Sequence, residues 1–290
     1  MTGISRRRLA AAAAGAALAL LAGCAQAATP STPASPAPSG FPSEILKGGG
    51  ASGYAPAGTS VIFLVRHGRT DANDQNLVQG WTQTPLNAAG QAQAAATAEA
   101  LKEVRFSSVL TSDLPRAVQT TDTILAANVQ PVAAQAFEEL REQNYGGFDG
   151  MLDADFFATV IQAMGFPFDP AKTTDPGNFW SNSDAIDWYS KTTAEQRTDG
   201  IAAADPTGQA ENWATYSVRM QAAAALIEVA AGAEEGNTLV VSHGGPIAAM
   251  LQLMDPERFD PNADVANGSV SVVYYANGKF EIQAIGIPTS

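Results

Sequence analysis

Two runs of consecutive apolar residues, Val61–Val65 and Leu239–Val241, stand out from a chain otherwise patterned in helical or alternating repeats. Unbroken apolar runs of this length, bounded by polar and glycine residues, are read as strands buried on both faces of a sheet. Between them an Ala-rich segment with Asn87 as N-cap predicts a helix to about Val104. A short strand follows at Ser108–Leu110. The next helix is predicted from about Leu114 to Ala127, capped by Ser112 or Asp113, with Pro115 in a first turn that has no use for its missing N–H. Glu211–Ala231 reads as a long Ala-rich helix ending near Gly232. Asn267–Tyr275 and Lys279–Ile285 alternate as strands, joined by Asn277-Gly278, a strong hairpin signal. Strands and helices in this order predict an α/β fold.

The segment of about 153–208 breaks the pattern. Phe156, Phe157, Phe166, Phe168, Trp180 and Trp188 lie among prolines and asparagines, which suggests an insertion folded as a cap with short helices. The globular unit is taken as 59–290.

The first 58 residues do not belong to it. Arg6-Arg7-Arg8 and the apolar Leu9–Ala22 have the layout of an export signal, too short and too weakly hydrophobic for a convincing membrane span. Leu21-Ala22-Gly23-Cys24 resembles a bacterial lipoprotein processing site, which implies a signal peptide over 1–23 and lipid on Cys24. Ser5-Arg6-Arg7 also resembles a twin-arginine export signal, leaving the route open. Cys24 is the chain's single cysteine, so no internal disulfide can form. Residues 24–58, rich in Pro, Ser, Ala and Gly, cannot bury a core and read as a tether. The expected location is therefore the extracytoplasmic face of a bacterial membrane, held by the lipid.

Charge narrows the partners. The net charge is −13, and removal of 1–23 strips three arginines and no acids, taking it to −16. Such a surface argues against nucleic acid. It accommodates a small anion wherever cations converge.

The apolar runs end where chemistry could begin. Val61–Val65 stops at Arg66-His67-Gly68, and Thr238–Val241 stops at Ser242-His243-Gly244. These are the only two histidines of the chain. Ligands of open α/β sheets bind beyond the carboxyl ends of the strands, so both imidazoles are placed for a ligand. Each could also be a structural histidine closing a strand end. Arg66 beside His67 would repel a cation, and neither a metal nor another cofactor is expected. Arg116, in a helical first turn with its unpaired N–H groups, suits an anion.

Arg66-His67-Gly68 and Ser242-His243-Gly244, with the segments between them, resemble the histidine phosphatase superfamily, the phosphoglycerate mutase-like branch. Gln79-Gly80-Trp81 with Thr84–Ala92 resembles the family's approach to its first helix, and Ser112–Thr120 its second phosphate-binding element. Leu140-Arg141-Glu142 with Tyr145–Gly150 resembles its acid-bearing loop. The resemblance implies a three-layer α/β/α sandwich with a mostly parallel central sheet. It implies His67 as nucleophile forming a phosphohistidine, and Arg66, Arg116 and His243, the last if cationic, as charged donors to phosphate. Asn73 would be a neutral donor, with Thr70 and the Gly244 N–H as further candidates. Glu142 matches the general acid, with Glu138 and Glu139 as its rivals. Arg69 departs from the acidic or amide residue of many relatives.

Phosphatase and mutase remain to be separated. A mutase must hold a bisphosphorylated intermediate, yet Lys172, Lys191 and Arg197 are scattered among acids. Hydrolysis of a small phosphorylated substrate is the preferred reading. The alternatives are phosphotransfer of the mutase type and non-catalytic binding of a phosphorylated ligand. Oligomeric state does not follow from the sequence.

Overall fold

A computed structural model describes residues 55–175, 179–233 and 236–289. Cys24, the export segment and most of the tether lie outside the described residues. In chain order the main elements are β1 (Ser60–Arg66), α1 (Asp71–Asp74), α2 (Ala88–Leu101), β2 (Phe106–Ser112), α3 (Pro115–Ala127) and β3 (Ala134–Phe137). There follow α4 (Asp153–Ala163), α5 (Ser183–Lys191), α6 (Ala194–Ala204), α7 (Trp213–Ala233), β4 (Asn237–Ser242), α8 (Gly244–Met254), β5 (Val270–Ala276) and β6 (Lys279–Ile287).

The strands form one sheet in the order β3-β2-β4-β1-β5-β6. The first four are mutually parallel, and β5 and β6 add an antiparallel edge. Alternate residues of β1 face opposite ways, and each face has its own core. Ile62 and Leu64 pack with Met220, Ala223 and Ile227 of α7 and with Ile247 and Met250 of α8. Val61, Phe63 and Val65 pack with Ala98 and Leu101 of α2 and with Ala117 and Ile124 of α3. Helices on both faces explain why β1 and β4 are apolar throughout rather than alternating. The result is the three-layer α/β/α sandwich.

Register places the site. Arg66 is opposite Ser242 in the parallel pairing of β1 with β4, so His67 and His243 leave the sheet side by side. The Asn277-Gly278 turn closes the β5–β6 hairpin with φ of 53° and 75°, the double left-handed geometry of a type I′ turn. At the other end of β1 the chain passes so close to α2 that a Cβ on Gly90 would lie 2.0 Å from the Arg69 carbonyl oxygen.

Some boundaries differ from expectation, for physical reasons. The helix after β2 starts at Pro115 with Leu114 as N-cap and no side-chain cap. Asp113 is unavailable because Arg141 holds its carboxylate (2.7 Å through Nε), and the Ser112 hydroxyl, though it accepts from Leu114 N–H at 3.3 Å, is also bound by His243. The strand expected from Asn267 begins only at Val270. Asn267 Nδ2 donates instead to the His67 carbonyl (3.0 Å), and the Gly268 N–H to that of Arg66 (3.0 Å). Residues 153–204 form α4, α5 and α6 around a third core of Phe156, Val160, Ile161, Ala185, Trp188 and Ile201. The aromatics of this lobe pack chiefly on one another, as in the stacked Phe157 and Phe179 rings with centroids 4.4 Å apart. No helix among the described residues is long and apolar enough to cross a membrane.

Candidate active site

The two strand-end histidines form its floor. Both are buried, with ring centroids 5.0 Å apart at 61°. His67 Nδ1 lies 2.7 Å from the Gly68 carbonyl oxygen, which can only accept. The proton of the neutral ring is therefore on Nδ1, and the Nε2 lone pair is free. The Gly68 N–H is itself held by Thr120 Oγ1 of α3 at 3.1 Å.

His243 has the opposite tautomer. Arg116 Nε, a donor without alternatives, points at His243 Nδ1 from 3.1 Å, so Nδ1 accepts and Nε2 carries the proton toward Ser112 Oγ at 2.8 Å. While Arg116 occupies Nδ1, His243 is neutral, not the charged donor considered from sequence. Arg116 is completely buried and also donates from Nη1 to the Thr82 carbonyl (2.9 Å) and from Nη2 to that of Gly80 (2.7 Å). This fixes the fork on the loop carrying Trp81. Burial pulls its pKa down to about 10, with Glu142 and Asp149 opposing the fall, so it stays charged near neutrality.

Arg66 donates from Nη1 to the Val265 carbonyl at 2.8 Å, while its buried Nε has no partner. An unpaired buried donor on a guanidinium is costly unless an acceptor arrives. Arg66 lies over Gly244, the first residue of α8, whose N–H has no partner within the helix. Asn73 shares the rim, its Oδ1 accepting from Thr70 N–H (3.2 Å), so its amide NH2 is what it can offer a ligand. Thr70 is a brace rather than a contact. Fully buried, it caps α1 through Asn73 N–H and donates to Gln79 Oε1 at 2.8 Å, so its hydroxyl is committed. Arg69, the departure noted in sequence, is paired with Asp74 at 2.7 Å.

Glu142 closes the pocket from the loop after β3. Its Oε1 accepts from Gln143 N–H (2.9 Å) and its Oε2 from Gly245 N–H in the first turn of α8 (3.3 Å). Burial raises its pKa, against the opposing pull of Arg116 and Arg66. Of its rivals, Glu138 is a partner of Arg141 (3.3 Å). Residues that carry no motif signal in the sequence hold this loop. Arg219 of α7, paired with Glu211 at 2.6 Å, donates to the carbonyls of Glu139 (3.1 Å), Arg141 (2.7 Å) and Glu142 (3.0 Å). The Trp81 indole N–H adds a 2.8 Å bond to the Glu142 carbonyl. A Glu-x7-Arg spacing across a helix start was the one signal available, and it is shared by many surface pairs.

Gly245 yields a direct expectation. A Cβ there would sit 2.5 Å from Glu142 Oε1. Gly245→Ala should displace the flexible carboxylate at little cost to folding, lowering kcat by about 10²-fold, the scale of general acid–base assistance. Melting curves and steady-state kinetics on one preparation check it, and an unchanged kcat would remove Glu142 from the chemistry.

A model of the histidine phosphatase superfamily (branch 1) matches residues 62–178 and 180–288. The chain belongs to that superfamily. It is 26% identical over 231 residues to a protein described as an uncharacterized phosphatase, PhoE, of Bacillus subtilis, covering 79% of this chain and 95% of that one. It is 28% identical to the 2,3-bisphosphoglycerate-dependent phosphoglycerate mutase 2 of Gloeobacter violaceus over 232 residues, 78% of this chain and 88% of that protein. Among solved structures, phosphoglycerate mutase from Bacillus anthracis superposes with a TM-score of 0.68 at 28% identity, covering 80% and 94% of the two chains. The protein is thus an enzyme of the histidine phosphatase superfamily with a phosphoglycerate mutase-like fold.

In this superfamily member both histidines are held well below their usual pKa. Burial is the main cause for each, followed by the Arg116 charge, with Arg66 adding to both. The chain's two histidines should give two ring spin systems by NMR, neither titrating near 6.5. Inorganic phosphate should raise the His243 value, because a dianion offsets the guanidiniums. Two ordinary titrations near 6.5 would refute the buried neutral pair. By linkage the unfolded chain binds protons on these rings below pH 6.5 while the folded one does not, so their contribution to stability is lost as pH falls. Asp153, pushed by burial to about 6, acts in the opposite sense, and bulk stability is therefore a poor readout.

Proposed function

We propose that the protein is a metal-independent phosphomonoesterase that works through a phosphohistidine on His67. The observation that carries the proposal is the Nδ1–H bond from His67 to the Gly68 carbonyl, which leaves an unprotonated Nε2 in the field of Arg116 and Arg66. Nε2 attacks phosphorus as the bond to the leaving oxygen breaks. Arg66, Arg116 and the Asn73 amide take the charge on the equatorial oxygens. The protonated Glu142 carboxyl gives its proton to the departing alkoxide, a role suited to a carboxyl with raised pKa. Water then attacks the phosphohistidine, Glu142 recovers a proton from it, and inorganic phosphate leaves with His67 neutral again.

Hydrolysis is favoured over mutase chemistry by the state of the cap's cations. Lys172 is paired with Asp184 (2.7 Å) and Lys191 with Asp187 (2.8 Å), and Arg197 lies 3.9 Å over the Tyr189 ring. None is spare for a second phosphate. The N-terminal segment supports an exported lipoprotein, anchored through acylated Cys24 with 24–58 as spacer.

Turnover of p-nitrophenyl phosphate in excess EDTA, combined with acid- and base-quench trapping of label from a 32P-substrate, tests the reading. Metal-independent release of nitrophenol with an acid-labile, base-stable label on the protein is expected. Turnover that vanishes with EDTA, or proceeds with no trapped label, would count against it.

A further inference from the structure

The distribution of cations over the fold carries an inference about the leaving group. Five arginines and lysines at or near the site end of the sheet, or in the cap, are matched to carboxylates: Arg69 to Asp74, Arg141 to Asp113 and Glu138, Lys172 to Asp184, Lys191 to Asp187, and Arg219 to Glu211. Arg197 has no carboxylate partner, but its guanidinium covers the Tyr189 ring and donates to the Tyr189 carbonyl (3.1 Å) and to Thr192 within the cap.

The rest are remote. Arg105 immediately precedes β2, whose first residue, Phe106, is level with Asn237 at the start of β4. Lys279 opens β6 opposite Ala276, beyond Tyr275, which pairs with Ser60 at the start of β1. Both therefore lie at the amino ends of the parallel strands, opposite the histidines. Lys102, paired with Glu99, and Arg258, paired with Glu281, follow the C-termini of α2 and α8, whose N-termini face the site. Among the described residues, only Arg66 and Arg116 remain as cations free of a carboxylate partner at the catalytic end.

On the phosphatase reading, both serve the one phosphoryl group that is transferred. Neutral groups stand near Glu142. The Trp81 indole binds the Glu142 carbonyl, and the Tyr145 and Tyr216 hydroxyls are held protonated chiefly by burial. Asp149, bound at Oδ1 by Gly80 N–H (2.6 Å) and at Oδ2 by Trp81 N–H (3.2 Å), is the other carboxyl group that acts on Arg116. A second phosphate or a carboxylate on the substrate would find no spare cation here, on a protein of net charge −13, and such a site selects against it.

Resting on the phosphatase reading above, we propose that the substrate is a phosphomonoester whose leaving group carries no negative charge, an ester of a neutral polyol or phenol rather than a bisphosphate or a phosphorylated acid. Matched pairs test it with the full chain. sn-Glycerol 3-phosphate and 3-phosphoglycerate differ mainly by the carboxylate, as do phenyl phosphate and 4-carboxyphenyl phosphate. In the second pair the carboxylate makes the phenol a slightly better leaving group, which biases the test against the proposal. The neutral member of each pair should have a kcat/KM at least about tenfold higher at low ionic strength, with the gap narrowing as salt screens the repulsion. Equal or higher kcat/KM for the anionic members would overturn the leaving-group proposal. p-Nitrophenyl phosphate, run alongside, separates the two levels: its hydrolysis with an anionic preference defeats this proposal alone, whereas no hydrolysis of any ester defeats the phosphatase reading beneath it.

Discussion

His67→Ala should lower kcat on p-nitrophenyl phosphate by on the order of 10⁵-fold or more and abolish the trapped label, while phosphate still binds. Removing a nucleophile that acts within one catalytic unit costs nearly all of the chemistry, and what survives derives from binding and charge stabilisation. Here that remainder would come from Arg66 and Arg116, neither of which depends on the His67 ring for its hydrogen bonds. Folding should survive. The ring makes one side-chain hydrogen bond, to Gly68, and the backbone bond from His67 N–H to the Ser242 carbonyl (3.0 Å) does not require a side chain. The vacated space next to His243 also makes free imidazole a reasonable rescue agent. Near wild-type turnover by a folded variant would mean that water attacks the substrate's phosphorus directly, with no covalent intermediate.

Much of this site was legible because it lies on unambiguous local signals. The apolar run Val61–Val65 could only be a doubly covered strand, and its end located Arg66 and His67. A second run did the same for His243. Asn87 caps α2 by accepting from Gly90 N–H (2.9 Å), and Asn277-Gly278 turns the hairpin, both properties of two to four adjacent residues. What escaped was long-range. The bond from Arg116 to His243 joins positions 127 apart and is set by the register of β2 against β4, not by any local pattern. The family resemblance groups Thr70 with Asn73 as phosphate contacts, whereas the capping box they form turns the Thr70 hydroxyl into the structure. Local pattern offers Ser112 or Asp113 as the helix cap, but Asp113 and Ser112 have stronger partners in Arg141 and His243. Arg219 and Glu211 were invisible as site residues because their work is done on backbone carbonyls, which carry no sequence signature. The aromatic residues of the cap were conspicuous in sequence for packing reasons, since Phe156, Phe157, Phe179 and Trp188 chiefly cover one another.

Arg116→Ala should be the most damaging change that leaves the nucleophile intact. It removes one of the two guanidiniums that the proposed mechanism sets on the phosphoryl group, and the loss of an arginine from that role costs roughly 10³–10⁵ in kcat in phosphoryl transfer. It also strips partners from the Thr82 and Gly80 carbonyls and from His243 Nδ1, all in a place water reaches poorly. Leaving such groups unpaired costs about 1–3 kcal/mol each, so the melting temperature should fall along with the rate. Arg116→Lys separates the two effects. It restores a positive charge, but a single ammonium cannot reproduce the fork that reaches two carbonyls and an imidazole together. The lysine variant should regain part of the stability and little of the rate. His243 provides a third readout. Burial will still hold its pKa down, yet loss of the Arg116 charge, the next largest influence, should let it rise, most clearly in the alanine variant. Once Nδ1 is no longer occupied by Arg116, the ring can take a second proton and become the charged donor that the resemblance had suggested. A lysine variant with wild-type kcat would show that charge alone is required and that the network through Gly80, Thr82 and His243 is incidental. A deep loss of rate in both variants, with His243 titrating higher in the alanine form, would place the fork geometry of Arg116 at the centre of the site.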